Sequence, residues 1–165
     1  MRSWISHFLA LAVVVPSALV VVVLAKPEQI RGVSSPIFHY YLQASPQDAT
    51  IPVMGPEASS EYFNIANGAI QSANSSAYLT VGADSTSYKT LTLSASAGTG
   101  GAPGWALEGD TIITGTSSAW GRQLNFLVCK VSGGDLWQVY LQTGSDVPAG
   151  KTCSNYQSLH LPCLC

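Results

Sequence analysis

The side chains equipped for chemistry are few in this sequence, and their spacing excludes more than it offers. Beyond Ala25 the histidines are His39 and His160. Neither stands in a His-x-His or His-Glu-x-x-His spacing, so no metal site is expected. His39 lies in the aromatic run from Ile37 to Leu42 and His160 between two leucines, where a packed or half-exposed histidine is the ordinary outcome. Glu108 and Asp110 form the closest carboxylate pair, spaced to face one side of a strand. A glycosidase needs its two carboxyls about 5 Å or about 6.5–9.5 Å apart across a cleft. Gly109 between them makes a turn with solvated acids the expectation instead. No serine occupies a Gly-x-Ser-x-Gly elbow, so a hydrolase triad has no motif to support it. The chain is therefore expected not to be an enzyme and to need no cofactor.

Recognition by an exposed aromatic is the better-supported chemistry. Trp120 stands in the polar segment from Ser117 to Gln123, whereas Trp105 and Trp137 occupy strand positions. In a loop, Trp120 either offers its face to a pyranose ring or caps one end of the fold. Arg122 and Gln123 beside it would supply hydrogen-bond donors. Trp120, Arg122 and Gln123 are thus the candidate ligand-binding residues. Asn74-Ser75-Ser76 is a glycosylation sequon, which places Asn74 on a surface loop. Cys129, Cys153, Cys163 and Cys165 are the four cysteines, all in the last third. In an oxidising compartment they make two disulfides. A direct Cys163–Cys165 link, two residues apart on an extended tail, would be strained. Either Cys129 and Cys153 each take one tail cysteine, or they pair together and leave the tail cysteines to a strained or intermolecular link.

The elements that must position these residues are strands. The stretch 1–25 carries Arg2, then an apolar run from Phe8 to Leu24 broken only by Pro16 and Ser17, then Val23-Leu24-Ala25. That is the tripartite pattern of a secretory signal peptide, with cleavage expected after Ala25 and a retained signal anchor as the alternative. The remainder, 26–165, is one domain's worth of chain. Charged residues are 10% of the whole and the net charge is −2. No basic cluster exists, which excludes a nucleic-acid partner. Ile37 to Leu42 reads as the first strand, after a loosely held segment from Lys26 to Val33. Three prolines between Ala44 and Pro56 favour a loop or a ragged edge strand. Tyr62–Ile65, Ala69–Gln71, Ala77–Val81, Lys89–Leu93, Trp105–Leu107, Thr111–Thr114, Leu124–Val128 and Leu136–Leu141 read as further strands. Asn67-Gly68 is the strongest hairpin signal and Glu108-Gly109-Asp110 a second turn. No sustained helical stripe appears, so the domain is all-β.

Phe63-x-Ile65, a turn, then Ile70 recurs further on as Trp105-x-Leu107, a turn, then Ile112. A period near 40 of short strands points to a single β-trefoil-like barrel, with a β-sandwich as the alternative. In the trefoil reading Leu124 to Cys165 is the third unit.

Gly104-Trp105-Ala106-Leu107, then Leu124 to Cys129, then Trp137-Gln138-Val139-Tyr140, then Gly144 to Cys153 resemble the small secreted cell-wall proteins of filamentous fungi of the PhiA (phialide) type. The likeness covers these segments well and thins upstream to Phe63-x-Ile65 and Tyr78-Leu79. It implies secretion, residence in the hyphal and conidial wall, a link to conidiation and no enzymatic activity. The family's upstream cysteine pair has no counterpart before Cys129, and Cys165 is an addition, so its disulfide framework does not carry over. Taken together, the expectation is a secreted, extracellular, cell-wall-associated structural protein that contacts wall polysaccharide and has no membrane attachment after cleavage. The alternatives are a secreted effector or elicitor that binds a host molecule, and a small glycan-active hydrolase using Glu108 and Asp110.

Overall fold

Leu91 and Leu93, Leu79 and Val81, Ile70 and Ser72 each turn alternate side chains to one side of their strands, and that side is the core. The computed structural model describes residues 27–97 and 104–162. The expected leader, residues 98–103 of the glycine-rich loop, and Cys163 and Cys165 lie outside them. In chain order the strands are β1 (Arg31–Gly32), β2 (Tyr41–Ala44), β3 (Pro52–Gly55), β4 (Phe63–Ala66), β5 (Ala69–Ser72), β6 (Tyr78–Val81) and β7 (Tyr88–Ser94). Then follow β8 (Trp105–Glu108), β9 (Thr111–Thr114), β10 (Phe126–Lys130), β11 (Trp137–Gln142), β12 (Cys153–Gln157) and β13 (Leu159–His160). Among the described residues one 3-10 turn, Glu57–Ser59, is the sole helical element.

All the pairings among named strands are antiparallel, and they form one nearly closed, barrel-like sheet in the order β4-β5-β6-β7-β11-β3-β2-β1-β13-β9-β8. Trp105 brings its two ends together: its backbone N–H donates to the Gly68 carbonyl at 2.9 Å, and Gly68 is in the β4–β5 turn. The Trp105 ring is buried, its Nε1 donates to the Leu79 carbonyl at 2.9 Å, and it stacks on Phe126 at 6.2 Å between centroids. β11 is the branch point. One edge pairs with β10, while the other is shared between β3 at Trp137–Gln138 and β7 at Tyr140–Gln142. β12 continues the sheet beyond β10.

The two similar sequence units are the same object. Phe63 pairs with Ser72 and Trp105 with Thr114, each across a four-residue strand pair closed by two residues. Asn67 and Gly68 both have positive φ, 52° and 75°, as a type I′ turn requires; Gly109 alone does in the second turn, the type II′ pattern. The described part of the third stretch, 124–162, is built differently, as the β10–β11–β12 meander followed by β13.

Three local expectations change. The Ile37–Leu42 run is not a continuous strand: Ile37 N bonds Ser34 O and Tyr40 N bonds Ile37 O, His39 takes φ 59°, and β2 begins at Tyr41. Gly32 permits this turn, since a Cβ there would lie 2.4 Å from the Ile37 carbonyl oxygen. The segment from 27 to 33 is not loose. Ile30 is fully buried, Glu28 and Phe63 exchange backbone hydrogen bonds at 3.0 and 2.8 Å, and β1 lies between β2 and β13. Nor is β3 an edge. It is buried throughout, flanked by β2 and β11, with Pro52 at its first position, where a missing N–H is tolerated.

Candidate functional site

The side chains nominated for binding are largely spent on the barrel itself. Trp120 is half-buried and packs against the main core, so it caps the fold there. Arg122 makes a forked pair with Glu108, Nε to Oε1 at 3.2 Å and Nη2 to Oε2. The hydrogen bond from Arg122 holds the Glu108 carboxyl below its usual range, and Glu108 in turn raises the guanidinium. Gln123 Nε2 donates to the Trp120 carbonyl at 2.8 Å, while its backbone bridges to Thr114. Arg122 and Gln123 thereby fasten the Trp120 loop to β9 and to the β8 end.

Glu108 and Asp110 are separated by their turn and by their partners. Glu108 faces Arg122; Asp110 Oδ1 lies 3.0 Å from His160 Nδ1. His39 sits exposed in the turn before β2, its ring edge-on to Phe38 at 4.0 Å. Among the described residues no three His, Cys, Asp or Glu side chains are grouped to hold a metal ion. Cys129 and Cys153 are joined to each other across the β10–β12 register, with Cα atoms 4.0 Å apart. Asn74 is exposed, and its Oδ1 accepts from the Tyr62 backbone N–H at 2.8 Å.

A different row carries the uncommitted polar groups. On β4, β5 and β6, Asn64 is opposite Gln71 and Gln71 is opposite Tyr78. Opposed residues share one face of a sheet. Their neighbours Phe63, Ile70 and Leu79 are buried in the core, so this row faces outward. Two strand spacings separate its ends, about 10 Å. The row lines a groove of about 320 Å³, with Asn67 at one side. Asn64 Oδ1 is buried without a hydrogen-bond partner, and Gln71 gives only its Nε2, to the Ser76 carbonyl at 3.0 Å. The Gln71 Oε1 and the Tyr78 hydroxyl therefore remain to engage a ligand, with the buried Asn64 Oδ1 behind them. Amides and a half-buried phenol ring at this spacing suit a hydroxylated ring, which needs paired donors and acceptors beside an apolar face.

A larger cleft, about 540 Å³, lies beside the disulfide and is lined by Lys130, Ser132, Gln138, Lys151 and Thr152. Lys151 is already bound there, to Gln138 Oε1 at 2.9 Å and the Tyr140 hydroxyl at 3.2 Å. Size favours this cleft, but uncommitted chemistry favours the groove on β4–β6. Sequence reasoning missed the groove because each member is ordinary within its own strand, and only the register aligns them. Fold and groove together define a disulfide-clamped, barrel-like β protein with an amide- and phenol-lined surface groove. The chain matches no family model, no curated protein and no solved structure.

Proposed function

We propose that this chain is a secreted, wall-associated structural protein that holds polysaccharide in the Asn64–Gln71–Tyr78 groove. The row of Asn64, Gln71 and Tyr78 on one outward face of β4–β6, with the Gln71 Oε1 and the Tyr78 hydroxyl unpaired, is the observation that carries this reading. Among the described residues the groove's lining has no carboxylate, and it is read as a site that holds a glycan. The resemblance to PhiA-type proteins points to a fungal wall polysaccharide as that glycan, but a developmental role does not carry over with it. The Cys129–Cys153 link fits an extracellular address. Asn74 carries an N-glycan from Nδ2 while its Oδ1 keeps the Tyr62 contact.

The test is retention on insoluble chitin and on insoluble β-glucan. Wild-type protein is retained on one of them, and Tyr78→Ala or Gln71→Ala weakens retention about tenfold or more, equivalent to about 1.4 kcal/mol. Trp120→Ala, checked for folding, keeps retention. A wild-type protein that washes freely from both matrices, or a folded Tyr78→Ala that binds as well as wild type, defeats the proposal.

A further inference from the structure

On the opposite run of the sheet, His160 is held from both ring nitrogens. Nδ1 lies 3.0 Å from Asp110 Oδ1, and Nε2 lies 3.1 Å from Ser158 Oγ. An ionised carboxylate only accepts, so Nδ1 carries the proton and donates to Asp110. Nε2 is then the acceptor, and the Ser158 hydroxyl donates to it. These are the contacts by which a base activates a serine nucleophile while a third group fixes the base's tautomer. The fold builds them from distant segments. Asp110 comes from the β8–β9 turn, and Ser158 and His160 flank Leu159, whose side chain is in the core. The turn is pinned, because Leu161 N donates to the Asp110 carbonyl at 2.8 Å.

We infer that Ser158, His160 and Asp110 form an acyl-transfer site that hydrolyses carboxylic esters of sugar hydroxyls. Ser158 Oγ attacks the ester carbonyl carbon, its proton passes to His160 Nε2, and the carbonyl π pair moves to oxygen. Collapse reforms the carbonyl and breaks the bond to the alcohol oxygen, which leaves with the proton from Nε2. Water then gives a proton to Nε2 and attacks the acyl-serine carbonyl. The bond to Oγ breaks, Oγ recovers the proton, and a carboxylic acid departs. Ester and water become acid and alcohol, with the protein unchanged. Asp110 is a positioning residue throughout.

The surroundings select the alcohol half. In register, Arg31 lies on one side of His160 and Thr111 on the other, all on the same face. Arg31 Nε is buried there without a hydrogen-bond partner, while Thr111 is half-buried. Tyr156, 62% exposed, lies two residues before Ser158. Polar groups and one exposed aromatic suit a polyhydroxylated alcohol better than a lipid. This site lies apart from the β4–β6 groove and adds turnover to a protein otherwise read as a binder.

The test uses the intact protein with p-nitrophenyl acetate, with peracetylated xylose, and with a fluorophosphonate probe followed by peptide mass spectrometry. The probe is expected on Ser158, and Ser158→Ala or His160→Ala lowers ester hydrolysis about 10²-fold or more. Asp110→Asn lowers kcat with KM little changed, and Asp110→Glu recovers part of it. Ser132→Ala, in the distant lysine cleft, leaves hydrolysis unchanged. Thermal melts confirm that each variant is folded. Wild-type protein that is unlabelled and no faster than Ser158→Ala overturns the inference, as does labelling at another serine.

Discussion

Trp105 shows how one side chain can decide whether a sheet closes. Its ring fills the core against Phe126, its indole N–H satisfies the Leu79 carbonyl of β6, and its backbone N–H reaches the β4–β5 turn. Trp105→Ala removes all of the ring's packing, which for a buried tryptophan costs about 3–5 kcal/mol. Trp105→Phe keeps an aromatic ring but leaves the buried Leu79 carbonyl without its donor, a loss of about 1–3 kcal/mol. The two variants should therefore rank Ala below Phe below wild type in urea-unfolding midpoints. Since domains of this size are stable by only about 5–15 kcal/mol, the alanine variant should sit close to its limit. A phenylalanine variant as stable as wild type would show that the indole N–H contributes nothing to closure. At the same scale, the Glu108–Arg122 pair is exposed on both sides and holds the Trp120 loop in place more than it stabilises the fold.

The cross-strand link between β10 and β12 acts on an element rather than on a site. β12 reads Cys-Ser-Asn-Tyr-Gln, with little alternation to bury it, and a bulge interrupts its register with β10 between Phe126 and Val128. Tyr156 lies there at φ 58°. The disulfide, spanning a sequence separation of 24, compensates for that weak pairing. Replacing both cysteines with alanine should lower stability by about 2–5 kcal/mol. Retention on polysaccharide should survive where the variant is folded, because the groove belongs to β4–β6. Urea midpoints and matrix retention on one preparation separate the two effects; lost retention in a folded variant would tie the clamp to binding. Elements like β12 also mark where the sequence stops being legible. Asn67-Gly68, Lys89–Leu93 and Trp137–Leu141 announce themselves through local turn chemistry and alternation. β3 does not, since burial on both faces and a leading proline erase the pattern, and β12 and β13 exist only through remote partners. Both surface sites share that property. Asn64, Gln71 and Tyr78 are joined by register, and Asp110 meets His160 across a sequence separation of 50.

At the scale of the molecule, the two ends of the described chain hold each other. β1 pairs with β13 through Arg31 and His160, and β13 reaches β9 through His160 and Thr111. Removing β1 would thus expose an edge of β2 and of β13 at once, in the middle of the strand order. Ile30, fully buried, would leave the core with it, and burial of such a side chain is worth about 1.5–3 kcal/mol. The backbone bonds from Leu42 N to Ile30 O at 2.8 Å and between Glu28 and Phe63 would go as well. Against a total of about 5–15 kcal/mol, that combined loss is enough to prevent folding, although only a short segment is missing. A chain beginning at Val33 should show no cooperative thermal transition by circular dichroism. One beginning at Pro27 should melt like the full-length protein. Such long-range pairing also predicts slow folding, because the segments most distant in sequence must meet before either is stable. Were the Val33 chain to melt cooperatively near the full-length temperature, the β4–β7 and β10–β12 regions would be stable without β1, and the continuous sheet would not be the cooperative unit.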